Sequence, residues 1–372
     1  MKRIAIITLY DNINISNKLQ NYAVQTILEK MGFTCTTIRY KETIKEISWK
    51  GYLLALSGFP GRRARIKRMI IKRRKAFKGF SDSWLKTGKA IHFKDAAAKL
   101  AGKYDYYLTG SDQVWHNWTD TKEELEYFLL EFAPQGKRIC LAPSFGFDRI
   151  PDKYRQLYKK GLMGFEYLSC REESGCRMIE ELTGRFARLL PDPTMALEQR
   201  DWDMIAAKPA YELPEKYLLV YILGDIRPED EEQIGRIAAD RGLEIVNIFS
   251  LDYEKYYYTN PAEFIYLVRN ADFVCTNSFH GCVFSIIYNI SFRLFFRTDP
   301  EGSRMHSRIS TLLDKFALTG CMADDSELGE LDFTKANEII KEERKKLTDY
   351  LQKALGLTTV KLQDKQLIET EV

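Results

Sequence analysis

Short apolar segments alternate with amphipathic segments along most of the chain. The apolar segments are rich in β-branched and aromatic residues, which is typical of buried β-strands. The amphipathic segments repeat their apolar residues every three or four positions, which predicts α-helices. Ten strands are predicted, at 3–9, 34–40, 104–109, 138–142, 165–170, 186–190, 217–223, 243–249, 271–276 and 292–297. Helices are predicted between them, for example at 17–31, 172–182, 228–241, 261–269 and 281–288.

The alternation of strands and helices predicts βαβ units with largely parallel sheets, so the fold class is α/β. Ten strands exceed the usual size of one twisted sheet, and we expect two Rossmann-like sheets that face a cleft. The segment PDPTMALEQRDW at 191–202, which contains two prolines, is the expected join. We therefore predict an N-terminal domain at 1–192, a C-terminal domain at 193–345, and a helix and tail at 346–372 that pack back on the N-terminal domain.

Composition and charge exclude several classes of protein. A length of 372 residues suits two domains, and a net charge of +4 does not by itself indicate nucleic-acid binding. The seven cysteines form no CxxC pair and no cluster with histidine, so we expect a reducing cytoplasm and no metal site. No apolar stretch reaches the roughly 18 residues of a membrane span.

The segment Arg62–Lys78 carries ten basic residues. Ile66, Ile70, Phe77 and Phe80 recur at helical spacing, which predicts an amphipathic helix with a basic outer face. A solvated surface explains this charge. The functional alternative is attraction to anionic lipid headgroups at the inner face of the membrane, or to a phosphorylated acceptor. Because no nucleic-acid-binding motif accompanies the segment, nucleic acid is not predicted as a partner.

Polar residues follow several of the predicted strands, and these positions are where open parallel sheets bind ligands. His280 is one of four histidines and lies where a strand passes into the first turn of a helix, in TNSFHG at 276–281. Free backbone N–H groups and the helix dipole make such a point an anion site. A histidine whose basicity rises when a dianion binds would suit a general acid, while a purely local structural role is the alternative.

Two further clusters carry candidate chemistry. Arg171 ends a predicted strand, where its guanidinium either binds a carboxylate or phosphate across the cleft or pairs with a neighbouring glutamate. The segment GSDQVW at 110–115 combines a carboxylate, an amide and an indole, the groups that bind sugar hydroxyls. Its alternative is an Asx-turn at Asp112 with Trp115 as a core anchor. The sequence contains no GxGxxG, Walker, HExxH or GxSxG motif.

Six segments occur in the order found in the polysaccharide pyruvyl transferase family. They are NKLQNYAVQ (17–25), YDYYLTGSDQVW (104–115), LAPSFG (141–146), SCREESG (169–175), PDPT (191–194) and TNSFHG (276–281). On this combination the chain resembles that family over about residues 3–310. The resemblance implies a GT-B-like fold and transfer of the pyruvate unit of phosphoenolpyruvate to a sugar as a cyclic ketal. Phosphoenolpyruvate is then a co-substrate, with no cofactor or metal. The expected acceptor is an oligosaccharide of a cell-surface glycan or its lipid-linked precursor.

The resemblance makes His280 the catalytic histidine and Arg171 the arginine that contacts phosphoenolpyruvate. Some relatives carry arginine where this chain has Ser278, so we expect the phosphate here to rest more on backbone N–H groups. The predicted donor-binding residues of the C-terminal domain are Asn277, Ser278, Phe279 and Gly281. On the acceptor side we expect Asp112 to orient or deprotonate a hydroxyl. The predicted acceptor-binding residues are Gln20, Asn21, Ser111, Gln113 and Trp115.

Two other functions are also consistent with the sequence. One is a GT-B glycosyltransferase that uses a nucleotide sugar, since it shares the architecture and the positively polarised helix end. The other is a non-catalytic carbohydrate-binding protein, in which His280 is structural.

Overall fold

The computed structural model describes residues 1–11, 13–41, 61–296, 306–322 and 330–357. The strands are β1 Arg3–Ile7, β2 Thr34–Thr37, β3 Tyr106–Thr109, β4 Arg138–Cys140, β5 Ser169–Cys170, β6 Arg188–Leu189, β7 Tyr217–Tyr221, β8 Glu244–Asn247, β9 Phe273–Thr276 and β10 Phe292–Leu294. The first helices are α1 Ile15–Lys30, α2 Arg62–Trp84, α3 Ala96–Leu100, α4 Lys122–Phe128, α5 Arg155–Met163, α6 Glu173–Thr183 and α7 Gln199–Asp203. The remaining helices are α8 Pro228–Asp240, α9 Glu254–Tyr257, α10 Pro261–Arg269, α11 Phe279–Tyr288, α12 His306–Phe316 and α13 Thr334–Ala354.

Two four-stranded sheets, each entirely parallel, form the framework. The first has the order β2-β1-β3-β4 and the second the order β10-β9-β7-β8. All ten predicted strands are present and lie within their predicted ranges; position 297 lies outside the described residues. The predicted α/β class with two parallel sheets is therefore confirmed. The predicted domain boundary between 192 and 193 stays a prediction.

The two sheets share one strand order. Counted from the first strand of each sheet, both read 2-1-3-4, so the chain reverses its direction of growth between β1 and β3 and between β7 and β9. Such a reversal opens a crevice at the carboxyl ends of the two strands, where parallel sheets bind ligands. Strands β1 and β7 are almost wholly buried, as expected for central strands covered by helices on both faces. The strand order therefore places one ligand-binding crevice at the ends of β1 and β3 and a second at the ends of β7 and β9.

Helix α2 confirms the amphipathic helix predicted for the basic segment and extends it to Trp84. Met69, Phe77 and Phe80 are buried, whereas Arg62 and most other basic residues are exposed or half-buried. Arg73 departs from the predicted basic outer face, because it lies on the buried side of the helix. None of the helices in the described ranges is long and apolar enough to cross a membrane. Contact of the basic face with lipid stays a prediction.

The C-terminal helix α13 returns to the first sheet. The Tyr350 hydroxyl donates a hydrogen bond to the Cys140 carbonyl of β4 at 2.6 Å. The Tyr106 hydroxyl of β3 donates to the Leu355 carbonyl at 3.1 Å. The predicted helix at 346–372 therefore contacts N-terminal strands over its described part, and residues 358–372 lie outside the described residues. Six of the seven cysteines are buried, and Cys176 is half-buried.

Candidate functional site

Asp192 is the centre of the candidate site. It follows β6 and precedes a turn in which its Oδ1 accepts hydrogen bonds from the Thr194 backbone N–H at 3.0 Å and hydroxyl at 2.8 Å. The other oxygen, Oδ2, lies 2.6 Å from Arg171 Nη1 and 3.6 Å from His280 Nε2. One fully buried carboxylate therefore brings together the two residues that the sequence marks as catalytic and donor-binding.

Arg171 is held by two carboxylates rather than by a neighbouring glutamate. Besides Asp192, its guanidinium contacts Asp112 Oδ1 at 3.4 Å, so residues that follow β3, β5 and β6 meet here. Burial alone would raise the pKa of Asp192, but the charges of His280 and Arg171 outweigh it and hold that pKa well below its usual range. Burial would likewise lower the pKa of Arg171, but Asp192 and Asp112 raise it. Asp192 and Arg171 therefore form an ionised pair.

Among the residues that the structure describes, two polar atoms of this cluster have no hydrogen-bond partner. They are Nε2 of His280 and Nε of Arg171, and both belong to side chains that are at least nine-tenths buried. A buried donor left without a partner costs roughly 1–3 kcal/mol, so such atoms in a cleft indicate a place for a ligand. The Arg171 guanidinium also lies over the Phe279 ring, 4.8 Å from its centroid, in the first turn of α11. The first N–H groups of that helix have no intrahelical partners.

Gly281 lets helix α11 start close to the end of β9. A Cβ atom built at Gly281 would lie 2.2 Å from Thr276 Oγ1, far inside contact distance. The same hydroxyl donates to the Tyr221 carbonyl at 2.7 Å and accepts from the Ser278 N–H at 3.0 Å. Threonine thus fixes the strand end, and glycine allows the helix N-terminus, with His280, to approach it.

Asn277 joins the ends of β7 and β9 at the second point of reversal. Its side-chain oxygen accepts from the Leu223 N–H at 2.7 Å, and its amide nitrogen donates to the Leu223 carbonyl at 2.9 Å. Both polar ends of the amide are therefore occupied by backbone. The structure assigns Asn277 to shaping the site, whereas Ser278 occupies the N-cap position of α11 without a side-chain cap bond.

The acceptor side is built around the turn after β3. Gln20 of α1 accepts from the Ser111 N–H at 3.0 Å and donates to the Thr8 hydroxyl at 2.6 Å. The Ser111 hydroxyl donates to the Ala142 carbonyl at 2.8 Å. Asn21 accepts from a threonine of β2 instead, away from this turn. Gln20, Asn21 and Ser111 are wholly buried, and the bonds of Gln20 and Ser111 hold the turn in place. Their binding of the acceptor stays a prediction.

Asp112 and its neighbours show which part of GSDQVW faces the cleft. Asp112 has φ 69°, in the left-handed region, and its Oδ1 also accepts from the Gln113 N–H at 2.9 Å. This conformation directs the carboxylate towards Arg171. Trp115 has no exposed surface and packs 5.1 Å from the Phe145 ring. The ring therefore packs as a core anchor, as the alternative interpretation of this segment expects, and its binding of the acceptor stays a prediction.

Sequence reasoning missed Asp192 and Arg73. The sequence shows Asp192 as a carboxylate between two prolines at the end of a predicted strand. Its partners Arg171 and His280 lie 21 and 88 positions away along the chain, so the sequence alone does not connect them to it. Arg73 was visible because position 73 continues the spacing of Ile70, Phe77 and Phe80 on the apolar side of α2. Within the described ranges, no group of three or more His, Cys, Asp or Glu side chains is placed to bind a metal ion.

The part of the chain that forms the first sheet and the part that forms the second sheet, here called the first and second lobe, meet directly at the site. The Ser16 hydroxyl of α1 and the Tyr221 hydroxyl of β7 lie 3.4 Å apart. Asp112 and Arg171 are each 8% exposed and His280 is 4% exposed, so the cleft is closed. The arrangement can bind a small anion against a cation and a helix N-terminus, and it can move a proton at His280.

Two facing parallel sheets with their polar residues at the carboxyl ends define an α/β protein of the GT-B-like class. The fold is similar to that of a candidate UDP-N-acetylglucosamine 2-epimerase from Listeria monocytogenes, with 14% identity, a TM-score of 0.50, and coverage of 96% of this chain and 98% of that chain. The MnaA–UDP complex from S. aureus matches at 10% identity and a TM-score of 0.47, covering 97% and 98% of the two chains.

The family follows from the sequence. The model of the polysaccharide pyruvyl transferase family matches residues 17–299, which include the second sheet, every strand of the first sheet except β1, and Asp112, Arg171, Asp192 and His280 of the candidate site. The chain therefore belongs to the polysaccharide pyruvyl transferase family. No curated protein matches it significantly.

Proposed function

We propose that this protein transfers the pyruvate unit of phosphoenolpyruvate to hydroxyl groups of a sugar and releases phosphate. The family membership supports a transferase of this kind. The observation that carries the proposal is the convergence of His280 and Arg171 on one oxygen of Asp192, beside the N-terminus of α11. An imidazole that can carry a proton and a guanidinium are thereby held together where an anionic substrate would bind.

The donor would bind between Arg171 and the start of α11. Phosphoenolpyruvate is small and carries a phosphate and a carboxylate. The unpartnered Nε of Arg171 and the first N–H groups of α11 supply donors to these anionic groups. Ser278 adds a hydroxyl at the N-cap position. Asp192 and Asp112 hold the guanidinium in one orientation, so little side-chain entropy is lost when the donor binds.

His280 is placed to act as the general acid. In the proposed reaction it gives a proton to the methylene carbon of the enol, and the adjacent carbon becomes cationic. One sugar hydroxyl attacks that carbon, the C–O bond to phosphate breaks, and a second hydroxyl attacks to close the ketal. Of the two hydroxyl protons, one restores the proton on His280 and one leaves with phosphate. The ionised Asp192 stabilises the imidazolium, and general acid catalysis is typically worth about 10²–10⁴-fold.

Asp112 is the group of the first lobe that reaches this centre. Its carboxylate lies 3.4 Å from Arg171 Nη2, so it can accept a proton from an acceptor hydroxyl next to the donor. Because the cleft is closed, entry of substrates requires the lobes to separate. Closure afterwards excludes water, which protects the cationic carbon from hydrolysis.

The direct test is mass spectrometry of candidate saccharides incubated with the protein and phosphoenolpyruvate. We expect a product heavier by one pyruvate minus water, with one phosphate released per product. Calorimetry gives an independent readout: phosphoenolpyruvate should bind and UDP should not. Binding of UDP without binding of phosphoenolpyruvate would favour a nucleotide-sugar glycosyltransferase instead.

The variant His280→Gln tests the general acid. We expect phosphate release to fall at least 100-fold while phosphoenolpyruvate still binds, because the helix N-terminus and Arg171 remain. His92→Gln, at a half-buried histidine outside the site, is the matched control and should keep its activity. Near-normal turnover by His280→Gln would refute the assignment.

A further inference from the structure

His116, Trp118 and Phe147 form an aromatic cluster that the proposed reaction does not use. All three side chains are half-buried, so part of each lies at the surface. The centroid of the His116 ring lies 4.3 Å from that of Trp118 and 5.7 Å from that of Phe147. Aromatic rings that are partly exposed and lie together form a patch of the kind that marks a binding surface.

The aromatic cluster lies at the carboxyl edge of the first sheet. His116 and Trp118 follow β3 and Phe147 follows β4, the adjacent strand, and ligands bind beyond this edge of a parallel sheet. Trp118 Nε1 donates to the Gln113 carbonyl at 3.2 Å, and the Gln113 N–H donates to Asp112 Oδ1 at 2.9 Å. Because the backbone of one residue joins these two bonds, Trp118 Nε1 lies at most about 10 Å from the Asp112 carboxylate.

The indole of Trp118 is fixed in place before any ligand binds. Its one polar atom, Nε1, is bonded to the Gln113 carbonyl, so the ring offers apolar faces to a ligand. The neighbouring His116 lies with Nδ1 3.0 Å from the Phe145 carbonyl. Gly146 permits this packing, because a Cβ atom there would lie 2.4 Å from Gln113 Nε2 and 3.1 Å from His116 Nδ1. A ring held in this way loses little conformational entropy on binding.

A hydrogen-bond donor accompanies the rings. Asn117 lies between His116 and Trp118 along the chain and has φ 62°, in the left-handed region. Its Oδ1 accepts from the Thr121 N–H at 3.1 Å. Among the residues that the structure describes, the buried Nδ2 of Asn117 has no hydrogen-bond partner. Such a donor is costly to leave unpaired, so it indicates a place for an oxygen atom of a ligand.

The charges beside the aromatic cluster disfavour an anionic ligand. Asp120 pairs with Lys153 at 2.5 Å, and the Glu124 carboxylate accepts from the Thr119 hydroxyl at 2.7 Å. Lys153 is therefore already bound, and both acids repel a further negative charge. Apolar ring faces beside an amide donor instead match a pyranose sugar, which has C–H groups on its faces and hydroxyls around its edge.

We propose that the aromatic cluster binds a neutral sugar ring of the acceptor, which stacks on Trp118 while Asn117 donates to one of its hydroxyls. This inference rests on the proposed function, because it takes the reacting sugar to lie at Asp112. The distance from Asp112 then places the adjoining sugar unit on Trp118. Because Trp118 is half-buried and Asp112 is only 8% exposed, this contact persists outside the cleft when the lobes close.

Saturation-transfer NMR tests the contact without turnover, since phosphoenolpyruvate is left out. The probes are maltose, lactose, cellobiose and diacetylchitobiose, each with the full-length protein. We expect at least one probe to receive magnetisation on the hydrogens of one ring face, and Trp118→Leu to weaken its binding roughly 10-fold or more. Trp118→Phe keeps an aromatic face and should retain most of the binding. The matched control is Trp84→Leu, at another half-buried tryptophan, which packs on Tyr22 and should leave the signals unchanged.

Steady-state phosphate release then separates a binding role from a structural one. With phosphoenolpyruvate added and the best probe as acceptor, Trp118→Leu should raise the KM for the saccharide roughly 10- to 100-fold. Its kcat and its KM for phosphoenolpyruvate should stay within about twofold, because a remote ring is bound equally in the ground state and the transition state. A structural role would instead raise both KM values and lower the melting temperature, and Trp118→Phe would not restore saccharide binding.

The proposal fails if none of the four disaccharides contacts the wild-type protein, or if Trp118→Leu binds them as well as the wild type does. It also fails if Trp84→Leu loses as much binding. Should Trp118→Leu not fold, His116→Leu removes the second ring and must weaken the same signals. Failure of the proposed function gives a different result: the saccharides bind in a manner that depends on Trp118, but phosphoenolpyruvate does not bind and no phosphate is released.

Discussion

Asp192 organises the candidate site because a single carboxylate oxygen serves two cations. Arg171 Nη1 and His280 Nε2 approach the same Oδ2, and Thr194 holds the other oxygen. Removing such a carboxylate leaves a buried guanidinium with one weaker partner, Asp112 at 3.4 Å. The position of Asp192 thus governs both the orientation of the proposed acid and that of the donor-binding arginine.

The variant Asp192→Asn should lower the free energy of unfolding by about 3–5 kcal/mol at pH 7, as expected for breaking a buried ion pair. The pKa of Asp192 is depressed in the folded protein, so its stabilisation is fully present above the unfolded pKa near 4 and is lost as the pH falls below it. The difference from wild type should therefore begin to shrink below about pH 5 and go on shrinking as the pH falls towards the depressed folded pKa. Urea denaturation at several pH values measures it.

The exposed acid Asp152, which pairs with Arg149 on the surface, supplies the control. Asp152→Asn should change stability by less than about 1 kcal/mol at every pH. If Asp192→Asn also showed a difference that does not depend on pH, the carboxylate would not be ionised in the folded protein. For the Asp192→Asn variant, the kcat for phosphate release should fall by a larger factor than the KM rises, because His280, the proposed acid, loses the carboxylate that orients it.

For single residues, the sequence predicted which side chains could bind or react with a substrate, but it did not predict which other side chains they contact. His280 and Arg171 could be singled out because both follow predicted strands, where parallel sheets bind ligands. Trp115 could not be assigned, since an indole after a strand suits both a sugar and a core. Asp192 could not be linked to His280, because only the tertiary fold brings together residues 88 positions apart.

Among the elements, helix α11 depends on one close contact for its position. Gly281 faces Thr276 Oγ1, which leaves no room for a Cβ atom. The threonine cannot move away, because its hydroxyl bonds both the Tyr221 carbonyl and the Ser278 N–H. The N-terminus of α11 is therefore placed by the end of β9.

The variant Gly281→Ala should destabilise the protein by about 1–3 kcal/mol, the usual cost of overpacking, and should weaken phosphoenolpyruvate binding because the helix N-terminus shifts. Gly235→Ala is the matched control, since Gly235 lies in α8 and a Cβ there meets nothing within 4 Å. That substitution should stabilise the protein by up to about 1 kcal/mol. If Gly281→Ala and Gly235→Ala changed stability and phosphoenolpyruvate binding equally, the contact with Thr276 would not determine the position of α11.

The strands and helices could be predicted from the sequence more completely than the contacts of single residues. Apolar runs and helical periodicity placed all ten strands, because central parallel strands are buried on both faces and carry a continuous signal. Strand ends were predicted too long, since apolar residues continue into the loops that line the cleft. Arg73 lies in the apolar register of α2, but its burial could not be predicted, because arginine side chains are mostly exposed.

At the scale of the whole molecule, the C-terminal helix α13 supports the connection between the two sheets. Arg344 donates from Nε to the Met195 carbonyl at 2.9 Å and from Nη2 to the Leu197 carbonyl at 2.8 Å. These carbonyls belong to the segment that follows Asp192. A helix near the end of the chain thereby fixes the segment that carries the central carboxylate.

The variant Arg344→Met should lower the free energy of unfolding by about 2–4 kcal/mol, because two carbonyls lose charged donors. It should also raise the KM for phosphoenolpyruvate, since the segment that carries Asp192 becomes less constrained. Lys345→Met removes an exposed partner of Asp349 and should cost less than about 1 kcal/mol with KM unchanged. Denaturant unfolding and steady-state phosphate release measure both effects. An unchanged KM in Arg344→Met would show that α13 only stabilises the fold.

The distribution of cysteines has a practical consequence for following this reaction. Six thiols are buried, and only Cys176 has appreciable exposure. Cys176 lies in α6, five positions after Arg171. A maleimide fluorophore should therefore attach first to this native thiol, without prior mutagenesis, and report on substrate entry through its change in emission.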